Sequence, residues 1–336
     1  MLSTAVAILN FNGLGFLQQF LPTVVTRSAQ AKVYVIDNGS TDASLAWLQS
    51  CSLPITVIGL DQNYGFCQGY NLGIRQISEE IVVLLNSDVE PAEDWLLHLL
   101  PAFANRKVAA AQPKILDYKI KLATGRNVFE YAGASGGFID SIGLPYCRGR
   151  MIDTCETDTG QYDTAISIDW ATGAALAVRR DLFESAGGLD PYFFAHMEEI
   201  DLCWRLRRMG HTIICQPLSA VYHVGGGTLS KQNPKKTYLN HRNSLVLLAK
   251  NLRPLPAAWR IPLRMVLDFP IALTYLFQLG PQHFWAVAEA HFHFYGYLFH
   301  GSRHQAQVAP KAPTIANSKS LLASYFLFGK RKFSDL

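Results

Sequence analysis

Residues 81–88 read Ile-Val-Val-Leu-Leu-Asn-Ser-Asp, a short apolar run that stops abruptly at polar residues. Five apolar residues, three of them β-branched, are typical of a strand buried on both faces. Because α/β sheets bind ligands at the carboxyl ends of such strands, Asp88 could hold a divalent cation against substrate phosphates. Alternatively, Asn86, Ser87 and Asp88 form an Asx-type turn that caps the next helix.

Strands and helices alternate along the chain around this run. Apolar runs predict strands at residues 4–9, 32–36, 55–58 and 81–85, with helices at residues 14–26, 70–77 and 92–105. Strand–helix–strand units of this length join parallel strands through right-handed crossovers. The sequence therefore predicts an α/β fold with a mostly parallel sheet flanked by helices.

Polar turns follow the predicted strands at one edge of this sheet. Asp37 ends the second strand and Asp88 ends the fourth, and the loop 61–69, rich in Asn and Gly, lies between them. Strand ends on one edge can converge on a single ligand, although turn and cap chemistry would also explain such residues. The chain lacks both G-x-x-x-x-G-K-[ST] and a G-x-G-x-x-G after the first strand, which disfavours phosphate-loop NTPases and dinucleotide dehydrogenases.

These motifs resemble the family 2 glycosyltransferases of GT-A fold, and most of all their rhamnosyltransferase-like branch. The resemblance covers residues 1–250 and rests on four motifs in the family's order: Val6-Ala7-Ile8-Leu9-Asn10-Phe11-Asn12-Gly13, Val35-Ile36-Asp37-Asn38-Gly39-Ser40-Thr41-Asp42, Asn63-Tyr64-Gly65-Phe66 and Leu84-Leu85-Asn86-Ser87-Asp88. It implies a nucleoside-diphosphate sugar donor and a Mg²⁺ or Mn²⁺ cofactor.

The resemblance also implies roles for individual residues. Asp37 would contact the nucleotide base, and Asp88 would bind the metal at the last position of a D-x-D motif whose first position is Asn86. The further substrate-binding residues would be Asn12, Asn63, Gly65, Trp170, Gly173 and Arg242. His223 would be a metal ligand or a diphosphate contact. A buried core position is the alternative for Trp170, and a packed imidazole is the alternative for His223.

A second group of acids lies in residues 196–210. Leu202, Leu206 and Met209 recur at helical spacing, and Gly210 ends the predicted helix. Acids at its start also suit the helix dipole, and Asp201 can pair with Arg205. A carboxylate here could take the proton from an attacking acceptor hydroxyl. The resemblance implies that Glu199 is this base and leaves Glu198 and Asp201 as alternatives.

Composition limits the remaining choices. The chain has 336 residues, 49% of them hydrophobic and 17% charged, and a net charge of +4 that is too small to argue for nucleic acid. Six cysteines without a C-x-x-C pair predict reduced thiols, and no secretory signal is expected at the start, so a cytoplasmic location is predicted. Residues 116–165 are glycine-rich and contain Arg126, Arg148 and Arg150, which predicts either a binding loop or an ordinary surface insertion.

Residues 251–336 differ in character from the rest and predict a helical appendage. Residues 269–288 carry no Asp, Glu, Lys or Arg, but Gly280-Pro281 predicts a turn between two helices. Apolar residues 321–328 are followed by Lys330-Arg331-Lys332, a combination that fits the interface of an anionic membrane. A true membrane span, or soluble helical packing or a dimer contact, are the alternatives.

The sequence thus predicts an inverting, metal-assisted glycosyltransferase that extends a glycan or lipid-linked glycan at the inner face of the cell membrane, in cell-surface polysaccharide synthesis. One alternative is a catalytically inactive subunit that binds nucleotide sugars or acts as a scaffold, because Asn86 and Glu199 depart from the family pattern. A sugar nucleotidyltransferase is the other, but residues 10–13 lack its glycine-rich basic signature.

Overall fold

A computed structural model describes residues 2–225, 232–300 and 319–336. The strands are Thr4–Asn10 (β1), Lys32–Asp37 (β2), Ile55–Gly59 (β3), Ile81–Asn86 (β4), Val89–Pro91 (β5), Val108–Asp117 (β6), Gly137–Ile139 (β7), Pro145–Cys147 (β8), Arg150–Met151 (β9), Thr154–Cys155 (β10), Ile166–Ile168 (β11), Ala175–Arg179 (β12) and Thr212–His223 (β13). The α-helices are Leu14–Arg27 (α1), Ser44–Ser50 (α2), Gly65–Ile74 (α3), Trp95–Leu99 (α4), Tyr118–Thr124 (α5), Arg180–Ser185 (α6), Glu198–Arg208 (α7), Pro234–Asn251 (α8), Pro254–Gln278 (α9) and Pro281–His300 (α10).

The first half of the central sheet is the predicted parallel one. Its strands run in the order β3-β2-β1-β4, and every neighbouring pair is parallel. The five apolar residues of β4 are almost completely excluded from solvent because one buried cluster covers each face of the strand. The α/β fold is therefore confirmed where strands and helices alternate most regularly.

Beyond β4 the sheet is mixed. Strand β12 lies antiparallel between β4 and β6, and β13 runs parallel to β6 and antiparallel to β5 and β11. Strand β13 continues past a register shift between Gln216 and Ala220. This continuation carries His223 to the edge where β4 ends.

Helix α3 also begins earlier than predicted. The sequence predicts a loop as far as residue 69, but the helix starts at Gly65. The side-chain oxygen of Asn63 accepts hydrogen bonds from Gly65 N at 2.8 Å and from Asn38 Nδ2 at 3.0 Å, and Gly65 adopts a φ of +76°. The loop is thus an ordered helix entry, held by side-chain amides against the end of β2.

The glycine-rich segment folds into a second, antiparallel sheet in the order β10-β9-β8-β7. Residues near the C-terminus pack on it, with Leu321 in one small cluster with Tyr146 and Met151. Asp140 accepts a hydrogen bond from Leu321 N at 2.9 Å, and Glu156 accepts one from Phe333 N at 2.9 Å. Residues of the C-terminal region therefore pack against the glycine-rich segment.

Helices α9 and α10 are separated at Gly280, as the sequence predicts. Phe294 and Tyr297 of α10 belong to the same core as Leu245 and Leu248 of α8, so the core continues across the predicted domain boundary at residue 250. Asp268 of α9 is buried and lies between His291 of α10, at 3.0 Å, and His241 of α8, at 3.2 Å. None of the described helices is both long and apolar enough to cross a bilayer.

Candidate active site

Asp88 and His223 meet at the edge of the sheet. His223 Nε2 lies 3.2 Å from Asp88 Oδ1 and 3.5 Å from Asn86 Nδ2, while His223 Nδ1 lies 3.5 Å from Glu130 Oε2. Asp88 caps no helix, because β5 follows it directly. The capping part of the alternative therefore fails, whereas Ser87 and Asp88 do form the turn between β4 and β5, and metal binding by Asp88 remains a prediction.

The His223 imidazole lies between two carboxylates. Burial lowers its pKa, but Asp88 and Glu130 outweigh this effect and raise it to about 10. The cluster thus favours the protonated imidazole, and His223 would have to release this proton to coordinate a metal ion. Among the described residues no group of three or more ligands forms a complete metal cage. Asp88 and His223 fit an ion that keeps water and substrate oxygens as its other ligands.

Asp37 is buried at the end of β2. Its Oδ1 accepts a hydrogen bond from Asn10 Nδ2 at 3.0 Å, and its Oδ2 accepts one from Ser40 N at 3.1 Å. Asn12, with a φ of 51°, holds the same turn because its side-chain oxygen accepts a hydrogen bond from Thr41 N at 2.7 Å. Both residues shape the rim beside β1 and β2, and their contact with a nucleotide remains a prediction.

Glu198 and Glu199 form a pair of carboxylates at the start of α7. Oε2 of each side chain is buried and has no hydrogen-bond partner among the described residues. Burial and the neighbouring Glu199 raise the pKa of Glu198 well above its usual value. Burial also raises the pKa of Glu199, but backbone amides at the helix start oppose the shift. Burial thus favours the protonated form of both carboxyl groups, and more of the backbone amides oppose this for the half-buried Glu199.

Asp201 has a different environment from these two acids. Its carboxylate accepts hydrogen bonds from Arg205 Nε at 2.8 Å, Lys250 Nζ at 2.8 Å and Asn251 Nδ2 at 2.9 Å. Burial raises its pKa, but Arg205 and Lys250 reverse the shift and hold the pKa below the usual value. A fully buried, ion-paired carboxylate cannot reach an acceptor hydroxyl, so Asp201 is a structural residue rather than an alternative base.

Gly173 links the two acidic centres. A Cβ at this position would lie 3.9 Å from Cβ of Glu199 and from the Phe66 ring, an ordinary van der Waals distance, so Gly173 lies directly beside Glu199. The adjacent Ala174 accepts a hydrogen bond from Asn86 N at 3.1 Å. The segment between β11 and β12 therefore joins the end of β4 to the start of α7.

Trp170 lies in the core, which was the alternative to a contact with substrate. Its ring packs on Gly137, and its Nε1 donates to the Phe138 carbonyl at 2.9 Å. Only 4% of the residue is exposed. Trp170 thus fixes the second sheet to the central one, and the structure does not support a contact between this ring and a donor sugar.

Arg242 supports the backbone rather than presenting a free cation. Its guanidinium donates to the Tyr192 and Phe193 carbonyls, at 2.9 and 3.2 Å, and to the side-chain oxygen of Asn243. Asn243 Nδ2 in turn donates to the carbonyls of Phe193, Ala195 and His196. Phosphate binding by Arg242 remains a prediction, and its observed contacts hold the turn that precedes Glu198.

Sequence reasoning missed several residues of the site. Glu130 lies in the irregular segment, without a motif around it. Asn243, Lys250 and Asn251 are polar residues of α8 whose partners are about 50 positions away in the chain. The loop predicted after His223 includes Gly226, Gly227 and Thr228, which lie outside the described residues.

Comparison with known proteins identifies the class to which this fold and site belong. Residues 5–183, just over half of the chain, match the family described as "Glycosyl transferase family 2", and the chain belongs to that family. A crystal structure of GalNAc-T7 with UDP, GalNAc and Mn²⁺ is similar in fold, with a TM-score of 0.57 and 17% identity over 74% of this chain and 48% of that one. This similarity confirms the GT-A fold.

Two curated relatives are similar in sequence. One is a low-salt glycan biosynthesis hexosyltransferase of Haloferax volcanii, 28% identical over 223 residues, or 64% of this chain and 66% of that protein. This chain thus spans just under two thirds of that relative. The other is an N-acetylglucosaminyl-diphospho-decaprenol L-rhamnosyltransferase of Mycobacterium tuberculosis, 24% identical over 271 residues, or 76% of this chain and 86% of that protein.

Proposed function

We propose that this protein is an inverting glycosyltransferase that moves a sugar from a nucleoside diphosphate to a hydroxyl group of a glycan. The observation that carries the proposal is the connection of two centres. The Asp88–His223 pair is joined through Asn86 and Ala174 to the residue beside Glu199. One centre suits a cation on a diphosphate, and the other suits a base for the acceptor.

The two centres divide the chemistry between them. Glu199 takes the proton of the acceptor hydroxyl while the hydroxyl oxygen bonds to the anomeric carbon. The bond from this carbon to the diphosphate oxygen breaks on the opposite face, so a single displacement inverts the configuration. A Mg²⁺ or Mn²⁺ ion held by Asp88 and His223 would offset the charge on the departing diphosphate. Asn86, Asn63 and Gly65 line the approach to these residues, and Asp37 would select the base.

Two buried carboxylate oxygens without partners favour an enzyme over a subunit that only binds nucleotide sugars. Burying an unpaired carboxylate costs folding free energy, and a binding-only protein gains nothing from that cost. Catalytic sites commonly contain such groups because the chemistry requires a raised pKa.

The acceptor that we propose is a lipid-linked glycan for a cell-surface polysaccharide, which is extended on the cytoplasmic face of the membrane. The relative named for a diphospho-decaprenol substrate supports a lipid-linked acceptor, and a rhamnosyl or other hexosyl donor fits both relatives. The C-terminal region would hold the protein at that surface as a peripheral membrane protein.

Substitution of the two centres tests the reaction. Thermal-shift measurements with UDP, GDP and dTDP sugars, with and without Mn²⁺, first identify the donor. We then expect Asp88→Asn to abolish the metal-dependent stabilisation by that donor, whereas Glu199→Gln retains it. Both variants should lose transfer by at least about 100-fold, since a positioned base contributes that much. Transfer that survives at the wild-type rate in both variants would refute the mechanism.

A further inference from the structure

Arg150 is a buried cation without a counterion. It lies in β9, and only 9% of the residue is exposed. Its Nη1 donates to the Ile152 carbonyl at 2.8 Å, its Nη2 has only the Cys147 sulfur at 3.8 Å, and its Nε has no acceptor. Within the described parts of the chain, no carboxylate oxygen lies within 4.0 Å of this guanidinium.

A neighbouring arginine shows that this arrangement is unusual in the same sheet. Arg148 is also buried and also lies beside a tyrosine ring, that of Tyr162. Its Nε, Nη1 and Nη2 all have oxygen acceptors, two on Ser135 and one on Thr164. The hydrogen bonds of Arg148 offset the cost of burying its guanidinium. The contacts of Arg150 do not, because a buried charge without a partner is costly.

Arg150 lies next to the segment that contacts His223. Its guanidinium lies 4.2 Å from the Tyr131 ring, and the residue before Tyr131, Glu130, approaches His223 Nδ1 to 3.5 Å.

The vacant donors of Arg150 have the geometry of an oxyanion site. The Nε–H and one Nη2–H of a guanidinium point side by side and bind two oxygens of one phosphate. These are the two donors that lack an oxygen acceptor, whereas the third nitrogen is fixed by the backbone. We propose that Arg150 binds a phosphate group of a substrate through its Nε and Nη2. The assignment of that phosphate to a glycosyl donor or acceptor rests on the proposed function.

Binding of inorganic pyrophosphate tests this proposal without catalysis. Titrations in EDTA exclude a contribution from metal at Asp88. We expect Arg150→Met to bind pyrophosphate at least about tenfold more weakly than the wild type, which is the loss expected for one charged hydrogen-bonded contact. Arg126→Met is the matched control, since Arg126 is an exposed arginine of the same segment. Its binding should equal that of the wild type.

Stability provides a second readout that separates ligand binding from a structural role. Removal of an uncompensated buried charge should leave the Tm of the ligand-free Arg150→Met protein at or above that of the wild type. A clear fall in Tm with unchanged pyrophosphate binding would overturn the proposal. Should Arg150→Met fail to fold, Arg150→Lys decides: it keeps the charge but loses the paired donors. Tenfold weaker binding supports the site, and unchanged binding overturns it.

Two diphosphates distinguish the substrates. Arg150 belongs to the site of a lipid-linked acceptor if Arg150→Met loses binding of farnesyl diphosphate but still binds UDP or GDP in the presence of Mn²⁺. The opposite pattern assigns it to the donor, and equal binding of both by the variant and the wild type contradicts the proposal. If the wild type transfers no sugar but its pyrophosphate binding depends on Arg150, the phosphate site stands and only the proposed function fails.

Discussion

At the scale of single residues, the acid pair at the start of α7 is where stability and chemistry are in conflict. Glu198 is 5% exposed and Glu199 is half-buried, yet Oε2 of each lacks a partner among the described residues. Two adjacent carboxylates in such surroundings cannot both ionise cheaply, because burial raises the pKa of both and the charge of Glu199 raises that of Glu198 further. The pair therefore has a Glu199 that ionises only at a pH above the usual range for glutamate.

Glu198→Gln should stabilise the protein in a pH-dependent way. The folded state holds the Glu198 proton more tightly than the unfolded chain, so wild-type stability falls as the pH rises from about 4.5 through the raised pKa. Each unit of that shift corresponds to about 1.4 kcal/mol. Thermal unfolding should show a higher Tm for the variant at pH 8 and no difference at pH 4. Glu93→Gln, at an exposed position, should change neither value, and a lower Tm for Glu198→Gln at pH 8 would contradict this account.

At the scale of elements, helix α8 determines where α7 begins. The turn before α7 contains Phe194, His196 and Met197, whose φ angles of 64°, 69° and 75° are unfavourable for residues with a side chain. Asn243 offsets this cost, because its buried amide donates to three carbonyls of that turn. In the first turn of α7, Lys250 and Asn251 hold Asp201. Contacts at both points fix the direction in which Glu199 projects.

Asn243→Ala should misplace the base without removing it. The carbonyls of Ala195 and His196 lose this donor, and that of Phe193 keeps Arg242. We expect kcat to fall about 10- to 100-fold because the base must lie within hydrogen-bond reach of its proton. The donor is held mainly at the opposite centre, so its KM should change by less than about threefold. Asn240→Ala, at another half-buried asparagine of α8, is the control. Steady-state kinetics that show unchanged kcat, or equal losses for both variants, would exclude a positioning role.

At the scale of the whole molecule, local patterns predict one half of the fold. The run 81–85, the strands before it and the acids of 198–201 are short-range signals, and each appears in the structure where the sequence places it. The pairing of β12 between β4 and β6, however, joins residues about 70 to 95 positions apart and reverses the strand direction. Glu130 and Asn243 acquire their partners in the same long-range way. Periodicity cannot reveal such contacts, because it reports only which face of an element is apolar.

The charge and the apolar surface of the C-terminal region support the proposed attachment to a membrane. Residues 251–336 contain nine basic and three acidic residues, a formal charge of +6, whereas residues 1–250 contain 21 basic and 23 acidic residues, or −2. One face of α9 carries apolar residues that are 36% to 81% exposed: Leu255, Trp259, Leu263, Val266 and Phe269. Phe326, Leu327 and Phe328 are also exposed, next to Lys330, Arg331 and Lys332. An anionic membrane complements both properties.

Vesicle flotation tests this attachment with point substitutions, because deletion after residue 252 would strip Phe294 and Tyr297 from the core. We expect the wild type to float with vesicles that contain phosphatidylglycerol and not with phosphatidylcholine alone. Replacement of Lys330, Arg331 and Lys332 by Glu should abolish binding to anionic vesicles, since each basic residue contributes about 1 kcal/mol near such a surface. Trp259→Ser with Phe269→Ser should weaken it through lost apolar burial.

Leu122→Ser, at an exposed apolar position in α5, is the control. Retained flotation in both test variants would contradict membrane attachment. If the wild type instead forms a concentration-dependent dimer, and both test variants lose it, this face binds a second copy of the chain.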